Sequence, residues 1–284
     1  MIYLIVLISF IVSLIATSIF RNFGIKKHFC DKPDGNILKI HKKPIPYLGG
    51  VGIFLGFVSG LIFARLFHQI SGLQATGIII GSIVILFLGF WDDLKWKKEV
   101  NPVFKLLCQF VAGALIVFIL TKIGVNFKFS LSPIICALMA GFYIVGAMNA
   151  LNMQDGLDGL AGGITAISLT GFIILSISTS MTFPLVLCIA LLGGIIGFLV
   201  YNWNPASIFM GDNGSHFLGF SLAILAIMFS GHPIYNLKQF KVIVGEELKR
   251  AIGFYEKMRF EFHSSTSIHK NKSSKIYIYN IKSG

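Results

Sequence analysis

The residues able to do chemistry in this chain are short carboxylates. Before residue 231 there are seven aspartates, Asp31, Asp34, Asp92, Asp93, Asp155, Asp158 and Asp212, and one glutamate, Glu99. Asp92 and Asp93 are adjacent in GFWDDLKWKKEVNPVFKLLCQ. Two carboxylates that close repel unless a cation neutralises them, which suits a metal-phosphate centre or a general base. Lys105 and Gln109 follow, one helical turn apart. In MNALNMQDGLDGLAGG, Asn149 and Asn152 stand at i, i+3, as do Asp155 and Asp158, so each pair shares a face if the segment is helical. In NWNPASIFMGDNGSHFLGF, Asp212 is flanked by Gly211 and Gly214, Asn202 and Asn204 supply amides, and Phe209 offers a stacking surface for a base. DKPDGNILKIHKKPIPYLGG brings Lys39, His41, Lys42 and Lys43, all able to meet phosphate. The plainer reading of each segment is a turn or a solvated basic loop. Taken together, Asp, Asn, Lys and Gly in four segments fit Mg²⁺ holding a diphosphate between carboxylates.

These segments must be positioned by helices in a membrane. Of 284 residues, 55% are hydrophobic and 13% charged, and the mean hydropathy is +0.80. About twenty apolar residues cross a bilayer core, and only a helix satisfies its own backbone there. Eight such spans are predicted near 2–20, 49–67, 76–91, 104–121, 133–150, 160–178, 184–201 and 216–230. The fold class expected is an all-α, polytopic transmembrane helical bundle. The first span lacks a basic leader and a cleavage site and reads as retained. Cys30, Cys108, Cys136 and Cys188 form no CxxC pair and read as small buried residues.

Loops after odd-numbered spans carry Arg21, Lys26, Lys27, Lys32, Lys39, Lys42, Lys43, Lys95, Lys97 and Lys98. Those after even-numbered spans carry Arg65, Lys122 and Lys128. The bias places the first set in the cytoplasm and the N-terminus outside. All eight acidic residues before residue 231 fall on the cytoplasmic side, although the topology rule does not require it. The net charge of +12 sits in these loops and in the tail, which argues for lipid or phosphate contact and against nucleic acid.

The segments resemble the polyprenyl-phosphate N-acetylhexosamine-1-phosphate transferases of glycosyltransferase family 4. The resemblance covers about residues 1–230, and NMQDGLDGLAGG with NPASIFMGDNGS carries it most specifically. The first loop looks more like the initiators of O-antigen and teichoic-acid synthesis than the peptidoglycan enzyme. The resemblance implies transfer of a sugar 1-phosphate from a UDP-N-acetylhexosamine to polyprenyl phosphate, with release of UMP, on the cytoplasmic face of the inner membrane. It implies Mg²⁺, with Mn²⁺ as an alternative, held by Asp212. It assigns Asp92, Asp93 and Lys105 to catalysis, and His41, Asn152, Asp155, Asp158 and Phe209 to substrate. The partners implied are the two substrates and the lipid bilayer, with a homodimer left open.

Residues 1–230 are read as the transferase-like membrane domain, and 231–284 as an atypical basic tail, expected to be poorly ordered. Family members continue with further spans and a late loop rich in His. The tail holds only His232, His263 and His269, which implies weak turnover or an inactive relative. A secondary transporter is the other class considered. Its ionisable groups should sit at mid-membrane, and these lie at one interface.

Overall fold

A computed structural model describes residues 1–31, 43–95, 101–125, 132–230, 239–245, 261–269 and 272–280. His41 lies outside the described residues. Among them are eight helices: α1 (Ile2–Lys27), α2 (Gly49–Leu66), α3 (Gly72–Lys95), α4 (Pro102–Lys122), α5 (Pro133–Gln154), α6 (Leu160–Ser178), α7 (Thr182–Asn202) and α8 (Gly211–Ser230). Each is long and apolar enough to cross a membrane. The chain is an integral membrane protein.

The predicted spans match these helices, but several helices run further than the apolar windows. α3 continues past residue 91 through Asp92 and Asp93, α5 continues past 150 through Asn152, and α8 begins at Gly211 rather than 216. Residues read as loop therefore stand on helix ends. Polar side chains lower hydropathy and close an apolar window, yet they do not break backbone hydrogen bonding. Local signals set the boundaries. Asn101 caps α4 by accepting from the Val103 N–H at 2.9 Å. Gly211, at φ +73°, takes the left-handed conformation that turns the chain into α8.

In the bundle, α8 is central. It packs on α2, α3 and α5, and 83% of its apolar window is buried, against 67% for α7. Phe217 at its core meets Phe54 edge-to-face at 5.6 Å and Phe57 at 5.5 Å. α1 packs on both α2 and α7 through a seam of small residues. Ser9, Ser13 and Thr17 face Gly52, Gly56 and Gly60 on one side and Gly193, Gly194 and Gly197 on the other. A Cβ on Gly56 would lie 2.6 Å from the Ser9 carbonyl, so the close approach requires glycine.

Two short strands, β1 (Cys30–Asp31) and β2 (Ile45–Pro46), pair antiparallel at the end of α1. Residues 209–210 extend this pairing. The Phe209 N–H donates to the Pro46 carbonyl at 2.8 Å, and the Gly49 N–H donates to the Phe209 carbonyl at 2.9 Å. The chain divides into two units, Met1–Gly231 and His232–Gly284. In the second, β3 (Gln239–Gly245), β4 (Glu261–His269) and β5 (Lys272–Asn280) form an antiparallel sheet in the order β3-β5-β4.

Candidate active site

The polar residues of the motifs converge at one end of the bundle, where the C-terminal turns of α3 and α5 meet the N-terminal turns of α4 and α8. Asp93 seats the start of α8. One of its oxygens accepts from the Asp212 N–H at 2.9 Å, and the other accepts from the Asn213 N–H at 3.1 Å and the Asn213 side chain at 2.7 Å. A carboxylate at a helix N-terminus satisfies free N–H groups and meets the positive end of the dipole. Gly89, one turn back on α3, permits this. A Cβ there would lie 2.7 Å from the Asn213 nitrogen. Both Asp93 oxygens are engaged, so the side chain positions Asp212 more directly than it could take a proton. Asn213 also donates to the Tyr47 carbonyl at 3.0 Å, tying the first loop to the site.

Asp212, carried by the first turn of α8, is half-buried. Its Oδ1 accepts from Asn152 Nδ2 at 2.6 Å, and the same amide reaches Ser215 Oγ at 2.9 Å. Asp92 lies beside Asp212 and pairs with Lys105. The Asp92 side chain is 6% exposed and that of Lys105 13%, so this ion pair is largely removed from water. Buried against Asp92, Lys105 does not snorkel to water as an interfacial lysine would.

Asp155 and Asp158 do not share a helix face. α5 ends at Gln154, with Asp155 at its C-cap and a glycine-rich turn following. Asp158 is a brace for the opposing segment. It accepts from the Ala206 N–H at 2.9 Å and from Asn204 at 3.2 Å. Asn202 does the converse, accepting from the Gly159 N–H at 3.0 Å and donating to the Ile208 carbonyl at 2.9 Å. The Asp155 carboxylate makes no hydrogen bond or ion pair among the described residues, although Asp212, Asp93 and Asp158 are within electrostatic reach. Burial, then those three charges, hold its carboxyl well above the usual carboxylate range. Phe209 is half-buried in the segment held by Asp158 and Asn202.

Among the described residues, four carboxylates, Asp92, Asp93, Asp155 and Asp212, thus gather around one ammonium, that of Lys105. Among the described residues no three His, Cys, Asp or Glu side chains form a ready-made metal cage. Mg²⁺ does not ask for one, because it is held by one or two carboxylates, with water and substrate phosphate completing its shell. The uncompensated Asp155 and the half-engaged Asp212 fit that description.

Behind this layer lies a buried polar chain, of which the sequence reading singles out Asn149 and Gln109 but not His216. Asn149 donates to Gln109 Oε1 at 2.8 Å, and Gln109 Nε2 meets His216 Nε2 at 3.3 Å. Gln109 is 2% exposed and His216 1%. Polar side chains inside apolar helices were the available signal. With Nε2 accepting from the amide, the ring proton sits on Nδ1, which has no hydrogen-bond partner among the described residues. Gln109→Leu is expected to lower unfolding stability in detergent by about 1–2 kcal/mol, since it strands His216 and leaves Asn149 only its bond to the Val145 carbonyl. Unchanged thermal unfolding would show that the chain of amides is not holding α4, α5 and α8 together.

Residues 75–230 match the family model described as glycosyl transferase family 4. The chain belongs to this family. Similar curated proteins include a probable undecaprenyl-phosphate N-acetylglucosaminyl 1-phosphate transferase of Bacillus subtilis (strain 168), 34% identical over 235 residues, covering 78% of this chain and 63% of the relative. Phospho-N-acetylmuramoyl-pentapeptide-transferases are also similar. That of Halalkalibacterium halodurans is 30% identical over 237 residues, covering 78% of this chain and 73% of its own length. That of Streptococcus uberis is 34% identical over 242 residues, covering 78% and 72%. The family 4 match takes in Asp92, Asp93, Lys105, Asn152, Asp155, Asp158, Phe209 and Asp212.

Proposed function

We propose that this family 4 chain transfers N-acetylhexosamine 1-phosphate from a UDP-sugar to polyprenyl phosphate, releasing UMP, at the cytoplasmic face of a bacterial inner membrane. The product serves the building of an envelope polysaccharide. The observation that carries the reading is Asp212, aimed by Asp93 and Asn152 into a carboxylate cluster whose one cation among the described residues is Lys105.

In this reaction an oxygen of the lipid phosphate attacks the sugar-bearing phosphorus of the donor. A new P–O bond forms, the bond from that phosphorus to the bridging oxygen breaks, and UMP leaves. Such transfers need positioning and charge neutralisation more than covalent help. Asp212 and Asp155 would hold Mg²⁺, or Mn²⁺, which when bound neutralises diphosphate charge. Lys105 meets the lipid phosphate, and Asp92, released from Lys105, can accept its proton. Asn152 holds Asp212 in place. Asp158 and Asn202 fix the 203–209 segment, so that Phe209 can pack on the uracil. His41 would add a contact to substrate phosphate.

The test is UMP release from UDP-N-acetylglucosamine and undecaprenyl phosphate by the purified full chain. Release that needs both substrates, stops with a chelator and returns with Mg²⁺ is the expected result. No release with any UDP-N-acetylhexosamine, or release indifferent to chelation, would overturn the reading.

A further inference from the structure

The transfer needs Lys105 and Asp212 at a fixed separation, yet they stand on helices that share little packing. α4 packs chiefly on α5, while α8 packs on α2, α3 and α5. At the level of the carboxylates, α4 reaches α8 by way of Asp92, which pairs with Lys105 and lies beside Asp212. The reaction itself opens that link. A phosphate monoester carries about −1.5 to −2 charge at neutral pH, against about −1 for a carboxylate, so an arriving lipid phosphate draws Lys105 away from Asp92. The two helices must hold register most closely when the ion pair between them has parted.

One turn deeper in the bundle, each of these side chains has a counterpart. Gln109 follows Lys105 at i+4 on α4, His216 follows Asp212 at i+4 on α8, and Asn149 precedes Asn152 by three on α5. Gln109 Nε2 meets His216 Nε2 at 3.3 Å, a direct tie between α4 and α8. Asn149 donates to Gln109 Oε1 at 2.8 Å, which turns the amide so that its N–H groups face the ring. Asp212 and Lys105 both lie within electrostatic reach of that ring. Stability alone does not call for a histidine here. Its Nδ1 has no hydrogen-bond partner among the described residues, and an apolar pair at 109 and 216 would bury fewer polar atoms.

We propose that His216, aimed by Gln109 and Asn149, is a positioning residue for the transfer, keeping α4 in register with α8 while Lys105 leaves Asp92 for the acceptor phosphate. The inference rests on the transferase reading. His216 acts through the spacing of Lys105 and Asp212 and touches neither substrate. A misplacement of about 1 Å between reacting groups can cost about 10²-fold in rate.

The test measures UMP release and thermal unfolding of the full chain in detergent. His216→Leu is expected to lower kcat about tenfold to a hundredfold, with KM for each substrate within about twofold. His216→Gln, whose Oε1 can accept from Gln109, should keep kcat within about threefold of the unsubstituted chain. Gln109→Leu combined with His216→Leu replaces the polar pair by apolar groups. Its unfolding should return close to that of the unsubstituted chain while kcat stays low, which a merely structural role would not produce. This double variant also decides the matter if His216→Leu alone does not fold. Unchanged kcat in His216→Leu would overturn the proposal. So would a His216→Gln chain as slow as His216→Leu, a double variant that fails to fold or regains kcat, or a loss that appears in KM and not in kcat. No UMP release from the unsubstituted chain removes the transferase reading and this inference with it. Ordinary release with any of the other contrary results removes this inference alone.

Discussion

Asp212→Asn is expected to cost turnover about 10²–10³-fold or more while the protein stays folded. The substitution keeps shape, and its amide oxygen can still accept from Asn152, now 2.6 Å from Asp212 Oδ1. What disappears is the anionic oxygen that a hard cation prefers to an amide. Stability should hold or rise, because one of four crowded carboxylates has lost its charge. The measurement is UMP release across a Mg²⁺ series, beside thermal unfolding in detergent. Wild-type turnover at limiting Mg²⁺ would show that Asp212 does not handle the ion.

Lys105 yields a prediction in which stability and activity part company. Lys105→Met leaves the Asp92 carboxylate buried without its cation, a loss of about 3–5 kcal/mol when one member of a buried pair is removed. Adding Asp92→Asn removes the stranded charge, so the double variant should regain most of that stability. Activity should stay absent in both, since both lack the lysine that meets the lipid phosphate and the double variant also lacks the proton acceptor. A double variant as unstable as Lys105→Met alone would show that packing of the lysine stem, and not charge burial, sets the cost. Turnover restored in the double variant would remove both residues from the chemistry.

The bundle was legible in the sequence because apolar runs of membrane length have one structural solution. The site was legible in composition but not in geometry. Nothing local to Asp93 says that its oxygens will be spent on the start of α8, since both partners lie about 120 residues away. The spacing of Asp155 and Asp158 suggested one shared face, and the glycines between and after them allow the helix to stop first. Gln109 is a single polar residue among apolar neighbours and His216 ends the polar run that opens α8, and neither pattern reveals a partner. The fold brings them together from α4 and α8 and makes the pair visible.

The small-residue seam around α1 has a consequence for biosynthesis. Ser13 Oγ donates to the Gly194 carbonyl at 2.6 Å, across 181 positions of chain. At roughly 5–20 residues per second, the ribosome needs on the order of ten to forty seconds to make that stretch. The first helix is therefore in the bilayer, with one side of its groove open, well before its second partner exists. Over that interval Ser9, Ser13 and Thr17 face lipid or an insertion chaperone on the side that α7 later covers. The time taken to synthesise the chain from α1 to α7 therefore sets a lower bound on how long the unfinished bundle is exposed to membrane proteases.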